Sequence, residues 1–219
     1  MRKNKFTIKK LVCVAMFAAL AYAVTYLKIP VAFLSLEVKD SLIVLCTLIF
    51  GLPAGLCIAV LVPILELITH STTGVYGLIM NMLSSLTFAA VTGVIYKYKK
   101  NFYGAIIALI SGVLSVTAVM LLANMLITPY YMGVSTEAVM KLIPTMLLPF
   151  NLVKATLNGA IVLLLYKPLS NVLKRTGFIE KKAQSGEAKK GFNTRSIFVT
   201  LIAAAVIAGS LCIILLVLK

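Results

Sequence analysis

Asn151 and Lys154 are the two residues whose types and spacing most directly indicate chemistry in this sequence. They lie three positions apart, so on a helix they share one face. The surrounding stretch is apolar as far as Tyr166, and a lysine near the centre of a bilayer costs about 2.5 to 3.5 kcal/mol on insertion scales. An amide and an amine kept in such a place predict that a polar ligand is bound inside the membrane.

The depth of these residues follows from helix geometry. Counting outward from Lys167 at about 1.5 Å per residue places Lys154 about 20 Å and Asn151 about 25 Å above the inner boundary of a core about 30 Å thick. The same count puts further polar residues in the outer half: Glu66, His70, Asn81 and Asn124. Because the inner half holds few polar groups, we predict a pocket that opens outward and captures its ligand from outside.

Simpler structural roles are available for several of these residues. Asparagines within spans often form hydrogen bonds between helices, worth around 0.6 kcal/mol, and we favour that role for Asn81 taken alone. Glu66 could form a buried ion pair with Lys154, and His70 could be an interface residue. Three tyrosines at the outer boundary fit an aromatic belt better than a stacking platform: Tyr76, Tyr130 and Tyr131.

The elements that must position these residues are membrane helices. Of the 219 residues, 61% are hydrophobic and only 12% are charged, about half the charged fraction of a soluble domain. Segments of about 20 apolar residues can span a bilayer. Such segments lie at 11–27, 75–96, 103–127, 149–166 and 197–218. Segment 41–69 contains Gly-Leu-Pro-Ala-Gly at 51–55, which predicts a tight turn between a short span and a longer one.

The charge pattern predicts how the chain is organised and oriented. The net charge of +15 is concentrated before the first span, after the fourth and after the sixth, as expected of cytoplasmic ends, so it indicates topology and lipid contact instead of nucleic-acid binding. We predict an all-α membrane protein of the cell membrane with a six-helix body (1–175), a basic cytoplasmic linker (176–196) and a seventh transmembrane helix (197–219). The N-terminus is then cytoplasmic, and the C-terminus lies outside if the seventh helix spans.

A stripe of small residues marks the first span. Ala15, Ala19 and Ala23 recur at four-residue spacing, which lets another helix approach closely. The partner could be a helix of the same chain or of another protein, and the spacing alone does not decide between them.

Several motifs resemble the substrate-binding S components of energy-coupling factor (ECF) vitamin transporters, particularly the riboflavin-specific type. The strongest is Leu-Pro-Phe-Asn-Leu-Val-Lys at 148–154, which is similar to the family's Leu-Pro-Phe-Asn-x-x-Lys. Asn124 followed by Pro129 and Tyr131 resembles the family's fifth helix, residues 77–81 resemble the start of its fourth, and the 51–55 turn resembles its Gly-Pro-Leu-Ala-Gly. The resemblance covers residues 8–173.

The resemblance implies a subunit that binds riboflavin from outside and docks on a transmembrane coupling protein driven by two ATPases. Asn81, Asn124, Asn151 and Lys154 would bind the vitamin, and Ala15, Ala19 and Ala23 would meet the coupling protein. The chain itself would not be an enzyme, and it shows no phosphate-binding loop and no catalytic dyad. Its four cysteines lack metal-ligand spacing, so neither a metal nor a cofactor is expected beyond the transported vitamin.

Two departures from the family pattern leave the substrate open. Val62-Pro63 stands where the family commonly has Lys-Asn in the third helix, and Glu-Val-Lys-Asp at 37–40 replaces an Asp-Phe-Ser-Asp type. The alternatives are an S component for another vitamin such as pantothenate, a non-transport scaffold protein in which Lys154 satisfies Glu66, and a stand-alone carrier.

Overall fold

The computed structural model describes residues 8–176 together with Ala205 and Gly209. Within them the chain forms seven α-helices and one small β-hairpin. The elements are α1 (Ile8–Val24), β1 (Ile29–Val31), β2 (Leu34–Leu36), α2 (Lys39–Phe50), α3 (Leu52–Thr69), α4 (Gly74–Tyr98), α5 (Phe102–Met132), α6 (Thr136–Leu142) and α7 (Leu148–Arg175). One turn of π-helix, Ile143–Leu147, joins α6 to α7.

The predicted all-helical architecture is confirmed, whereas the predicted number of membrane spans is not. Among the described residues, four helical segments are long and apolar enough to cross a bilayer: α3, α4, α5 and the continuous segment Thr136–Leu173. Helix α2, with 12 residues, is too short for a full crossing, and α1 has 17 residues counted from the first described residue, Ile8. The predicted linker and seventh helix lie outside the described residues, apart from Thr176, Ala205 and Gly209.

The predicted turn at 51–55 separates α2 from α3. Gly51 has φ of 98°, a conformation that glycine adopts without the steric penalty of a side chain. Its backbone N–H donates to the Thr47 carbonyl and closes α2, and Pro53 stands in the first turn of α3, where its missing N–H costs nothing. The short α2 and the longer α3 therefore follow directly from this pentapeptide.

Helix α2 lies at the centre of the bundle. It packs against α1, α3, α4 and α7, and ten of its 12 residues are buried. Helices α4 and α5 approach closely where Gly112 faces Phe88 and Thr92, since a side chain at residue 112 would collide with both. This packing forms the main apolar cluster of the bundle, and a second, smaller one lies between the β-hairpin and α7.

The β-hairpin between α1 and α2 is the main element that the sequence analysis did not predict. Its strands pair antiparallel, with Ile29 opposite Leu36 and Val31 opposite Leu34. Val31 and Leu36 are buried against Leu157 of α7. Strands of three residues give too short a pattern to be recognised in a sequence dominated by membrane helices, yet this hairpin forms one wall of the cavity described below.

Asn158 of α7 connects the hairpin, α2 and α7. Its Nδ2 donates to the backbone carbonyls of Glu37 and Lys154, each at 2.9 Å, and its Oδ1 accepts from the Ser41 N–H at 2.8 Å. The side chain is only 1% exposed. Ser41 lies in the first turn of α2, and its N–H is shared between Asn158 and the Val38 carbonyl at 3.1 Å, so Asn158 adds a second acceptor at this helix start.

We expect Asn158→Ala to lower the free energy of unfolding by about 1 to 3 kcal/mol, because the Glu37 carbonyl loses the buried amide donor and the Ser41 N–H loses one of its two acceptors. Asn151→Ala is the matched control: its amide bonds only to the Leu147 carbonyl of the preceding turn, so the loss should stay below about 1 kcal/mol. Thermal unfolding of both purified variants in detergent, followed by circular dichroism, measures the difference. Equal losses would show that Asn158 does not hold these elements together.

Candidate ligand-binding site

A polar cavity lies between the hairpin and helices α3, α4, α5 and α7, and it contains all four predicted binding residues. Asn81 comes from α4, Asn124 from α5, and Asn151 with Lys154 from α7. The sequence placed them in one outer half by counting, and the structure brings them around one space. Aromatic and polar side chains complete the wall: Phe33, Ser71, Thr72, Tyr76, Thr128, Tyr131 and Phe150.

The two amides on α5 and α7 are held by their own helices. Asn124 donates through Nδ2 to the Met120 carbonyl at 2.7 Å and accepts at Oδ1 from the Thr128 hydroxyl at 2.9 Å. Asn151 donates through Nδ2 to the Leu147 carbonyl at 2.8 Å. Each amide thus uses one of its two N–H donors within its own helix, so hydrogen-bonding capacity remains for a ligand.

The carbonyl that orients Asn151 belongs to the π-helical turn, Ile143–Leu147. Single π turns of this kind are often found at functional sites. Pro144 lies in that turn and Pro149 follows it in the first turn of α7. The sequence analysis identified Asn151 from its motif, but it did not predict the turn that positions its side chain.

Lys154 has no carboxylate partner at ion-pair distance in the described part of the chain, where the ion pairs are those of Lys39 with Glu37 and Glu66. Its Nζ donates to the Ser35 carbonyl of the hairpin at 3.2 Å. The Lys154 to Glu66 pair that we considered as a structural alternative is therefore not formed. An ammonium lining a polar cavity with a single backbone acceptor retains two donors for a ligand.

A second group of charges lies where α3 and the loop before α2 form the cavity wall. Lys39 Nζ lies 2.5 Å from Oε2 of Glu37 and 2.5 Å from Oε2 of Glu66. Both carboxylates line the cavity, and Asn81 Nδ2 donates to Glu66 Oε2 at 3.2 Å. Asn81 therefore forms the interhelical hydrogen bond that we favoured for it and also lines the cavity.

The sequence analysis mentioned Glu37 and Lys39 only as part of the 37–40 departure from the family pattern and assigned them no role. In the structure they are 2% and 1% exposed. Burial acts to raise the pKa of Glu37, but the ammonium groups of Lys154 and Lys39 outweigh it and hold that pKa below its usual value. Glu37 is therefore ionised at neutral pH. The sequence did contain two features that could have indicated this ion pair. One is the Glu-x-Lys spacing at the start of a helix, and the other is a single acidic residue, Glu66, in an apolar span.

The other polar residues considered in the sequence have different surroundings. His70 contacts the Thr25 hydroxyl at 3.0 Å and stacks on Tyr26 with ring centroids 4.2 Å apart, which fits an interface role. Of the three outer tyrosines, Tyr130 is 78% exposed as a belt residue would be. Tyr76 and Tyr131 also line the cavity while remaining 44% and 39% exposed, so for these two the belt assignment stays a prediction.

The small-residue stripe of α1 is open to a partner. Ala15, Ala19 and Ala23 are exposed, whereas Phe17 and Ala21 face the core. Intramolecular packing, one of the two explanations of the stripe, does not cover this face within the described residues.

Known proteins match both the sequence and the fold. The family model "ECF transporter, substrate-specific component" matches residues 9–166. The chain is 29% identical over 177 residues to the riboflavin transporter RibU of Staphylococcus aureus (strain TCH60), which covers 76% of this chain and 93% of that protein. It is 26% identical over 172 residues to the riboflavin transporter FmnP of Bacillus subtilis (strain 168), covering 73% and 90%.

A solved structure described as the S component of a bacterial ECF transporter superimposes with a TM-score of 0.66 at 29% identity, covering 76% of this chain and 98% of that one. The matched family region contains every residue placed around the cavity, from Lys28 to Lys154. The chain belongs to the substrate-specific components of ECF transporters.

Proposed function

We propose that this protein binds riboflavin from outside the cell and delivers it inward as part of an ATPase-driven ECF transporter. Support comes from the two relatives described as riboflavin transporters, each similar to this chain over about three quarters of its length. The observation that carries the proposal is the convergence of Asn81, Asn124, Asn151 and Lys154 on one cavity.

The chemistry of the cavity suits a flavin ring. The polar edge of the ring alternates carbonyl oxygens and ring nitrogens, which match the donors and acceptors of Asn124, Asn151 and Lys154. The ring faces are apolar and aromatic, and Tyr76, Tyr131 and Phe150 provide aromatic surface in the same cavity. A flat ring with one polar edge can therefore form hydrogen bonds with the polar side chains and pack its faces against the aromatic ones.

Delivery needs partners. Under this proposal the exposed face of Ala15, Ala19 and Ala23 meets the transmembrane coupling protein, which two ATPase subunits drive. The body, 1–175, lies in the cell membrane with its N-terminus in the cytoplasm, surrounded by lipid, and 176–196 links it to an additional transmembrane helix, 197–219. Docking tilts the body and presents the cavity to the cytoplasm. ATP hydrolysis takes place on the ATPase subunits, so the chain itself catalyses no reaction.

The first test is a riboflavin titration of the purified full chain in detergent. We expect quenching of flavin fluorescence with a dissociation constant below about 1 μM, equivalent to roughly 8 kcal/mol of binding free energy. Pantothenate in the same assay is the control and should not compete. Absence of flavin binding at micromolar concentration, or competition by pantothenate, would indicate an S component for another vitamin. Riboflavin uptake by cells that lack the coupling module would instead favour a stand-alone carrier.

The second test is Lys154→Met. We expect the variant to fold but to bind riboflavin about tenfold or more weakly, because one charge-assisted hydrogen bond is worth about 1.5 to 3 kcal/mol. Thermal unfolding and the flavin titration measure the two effects on one sample. Lys141→Met removes the same charge from an exposed position on α6 and should change neither. A Lys154→Met protein that unfolds while Lys141→Met is stable would support the scaffold alternative.

A further inference from the structure

Lys39 is one of the most deeply buried side chains of the described residues, although it carries a charge. It is the first residue of α2 and is 1% exposed. It does not line the cavity, but both carboxylates that it contacts do. Lys39 therefore stands behind the cavity wall and acts on a ligand only through Glu37 and Glu66.

The surrounding charges show what Lys39 does for that wall. Glu37 and Glu66 approach the same ammonium from a loop and from α3, so without it two negative charges would be buried side by side. The other nearby carboxylate, Asp40, accepts from the hydroxyls of Ser84 at 3.2 Å and Ser85 at 2.5 Å. Lys39 is accordingly the ammonium in direct contact with both carboxylates, while the charge of Lys154 acts on Glu37 from further away.

The two carboxylates restrict which ligand groups can lie in front of them. An ionised carboxylate only accepts hydrogen bonds, and its two oxygens offer more lone-pair sites than one ammonium uses. A ligand group in front of Glu37 and Glu66 must therefore donate. A flavin ring carries a single N–H donor on its polar edge, whereas the ribityl chain of riboflavin carries a series of hydroxyl donors. The amides and Lys154 on α5 and α7 suit the ring, which leaves the carboxylates for the chain.

We propose that Lys39 is a positioning residue that holds Glu37 and Glu66 as a paired acceptor surface for the hydroxyl chain of the vitamin. The inference rests on the proposed binding of riboflavin and adds to it the residues that distinguish a hydroxylated flavin from a bare flavin ring. Lys39 itself touches no ligand. Its removal should therefore weaken only ligands that carry the hydroxyl chain.

The test compares riboflavin with lumiflavin, which has the same ring and a methyl group in place of the chain, on purified full chain in detergent. We expect Lys39→Met to weaken riboflavin binding about tenfold or more, because one partner of a buried charge pair is lost, and to leave lumiflavin within about twofold. Lys141→Met, at an exposed position, is the matched control and should change neither. Thermal unfolding of each sample verifies that it is folded.

Glu66→Gln is a second variant, and it keeps the Lys39 to Glu37 pair. It tests the same inference if Lys39→Met does not fold. It should reduce riboflavin affinity and spare lumiflavin in the same way. Equal losses for both flavins, no loss for either, or equal wild-type affinities for the two flavins would each overturn the role of Lys39. Wild-type protein that binds neither flavin would overturn the proposed function, and this inference with it.

Discussion

The structure depends on how a few charges are buried at the end of an apolar bundle. Taking an ion out of water costs several kcal/mol unless it is paired and hydrogen-bonded. Here Lys39 at the start of α2 is paired with Glu37 from the preceding loop and Glu66 from α3. Asn158 fastens that loop and the α2 start to α7 through three hydrogen bonds. These contacts join the elements that form two sides of the cavity.

This pairing determines what remains for a ligand. Glu66 already accepts hydrogen bonds from Lys39 and Asn81, so it does not need Lys154 as a partner. Lys154 instead rests on the Ser35 carbonyl with donors to spare. A residue that is costly to keep within a membrane protein is therefore held in the cavity without a carboxylate at ion-pair distance among the described residues, although its charge acts on Glu37 at longer range. That arrangement is stable only when water or a polar ligand completes it.

Local patterns in the sequence predicted a large part of this site. The spacing of Asn151 and Lys154 placed them on one face, and depth counting placed Asn81 and Asn124 at the same level, because both depend only on helix geometry. Contacts between distant segments could not be predicted in this way. Lys39 meets Glu66 across 27 positions and Asn158 meets Ser41 across 117, and no periodicity in one helix indicates such a pair. The hairpin was missed for a related reason, since three-residue strands leave no clear pattern.

The buried charges connect the two segments that depart from the family pattern. Val62 and Pro63 are buried in the core of α3, where the resembled pattern has a lysine and an asparagine. Glu66, one turn further along the same helix, receives its ammonium from Lys39 on α2. A positive charge is thus present beside α3 although α3 does not carry it. Val62 and Pro63 therefore leave Glu66 with an ammonium partner from α2, and the amides and Lys154 still line the cavity.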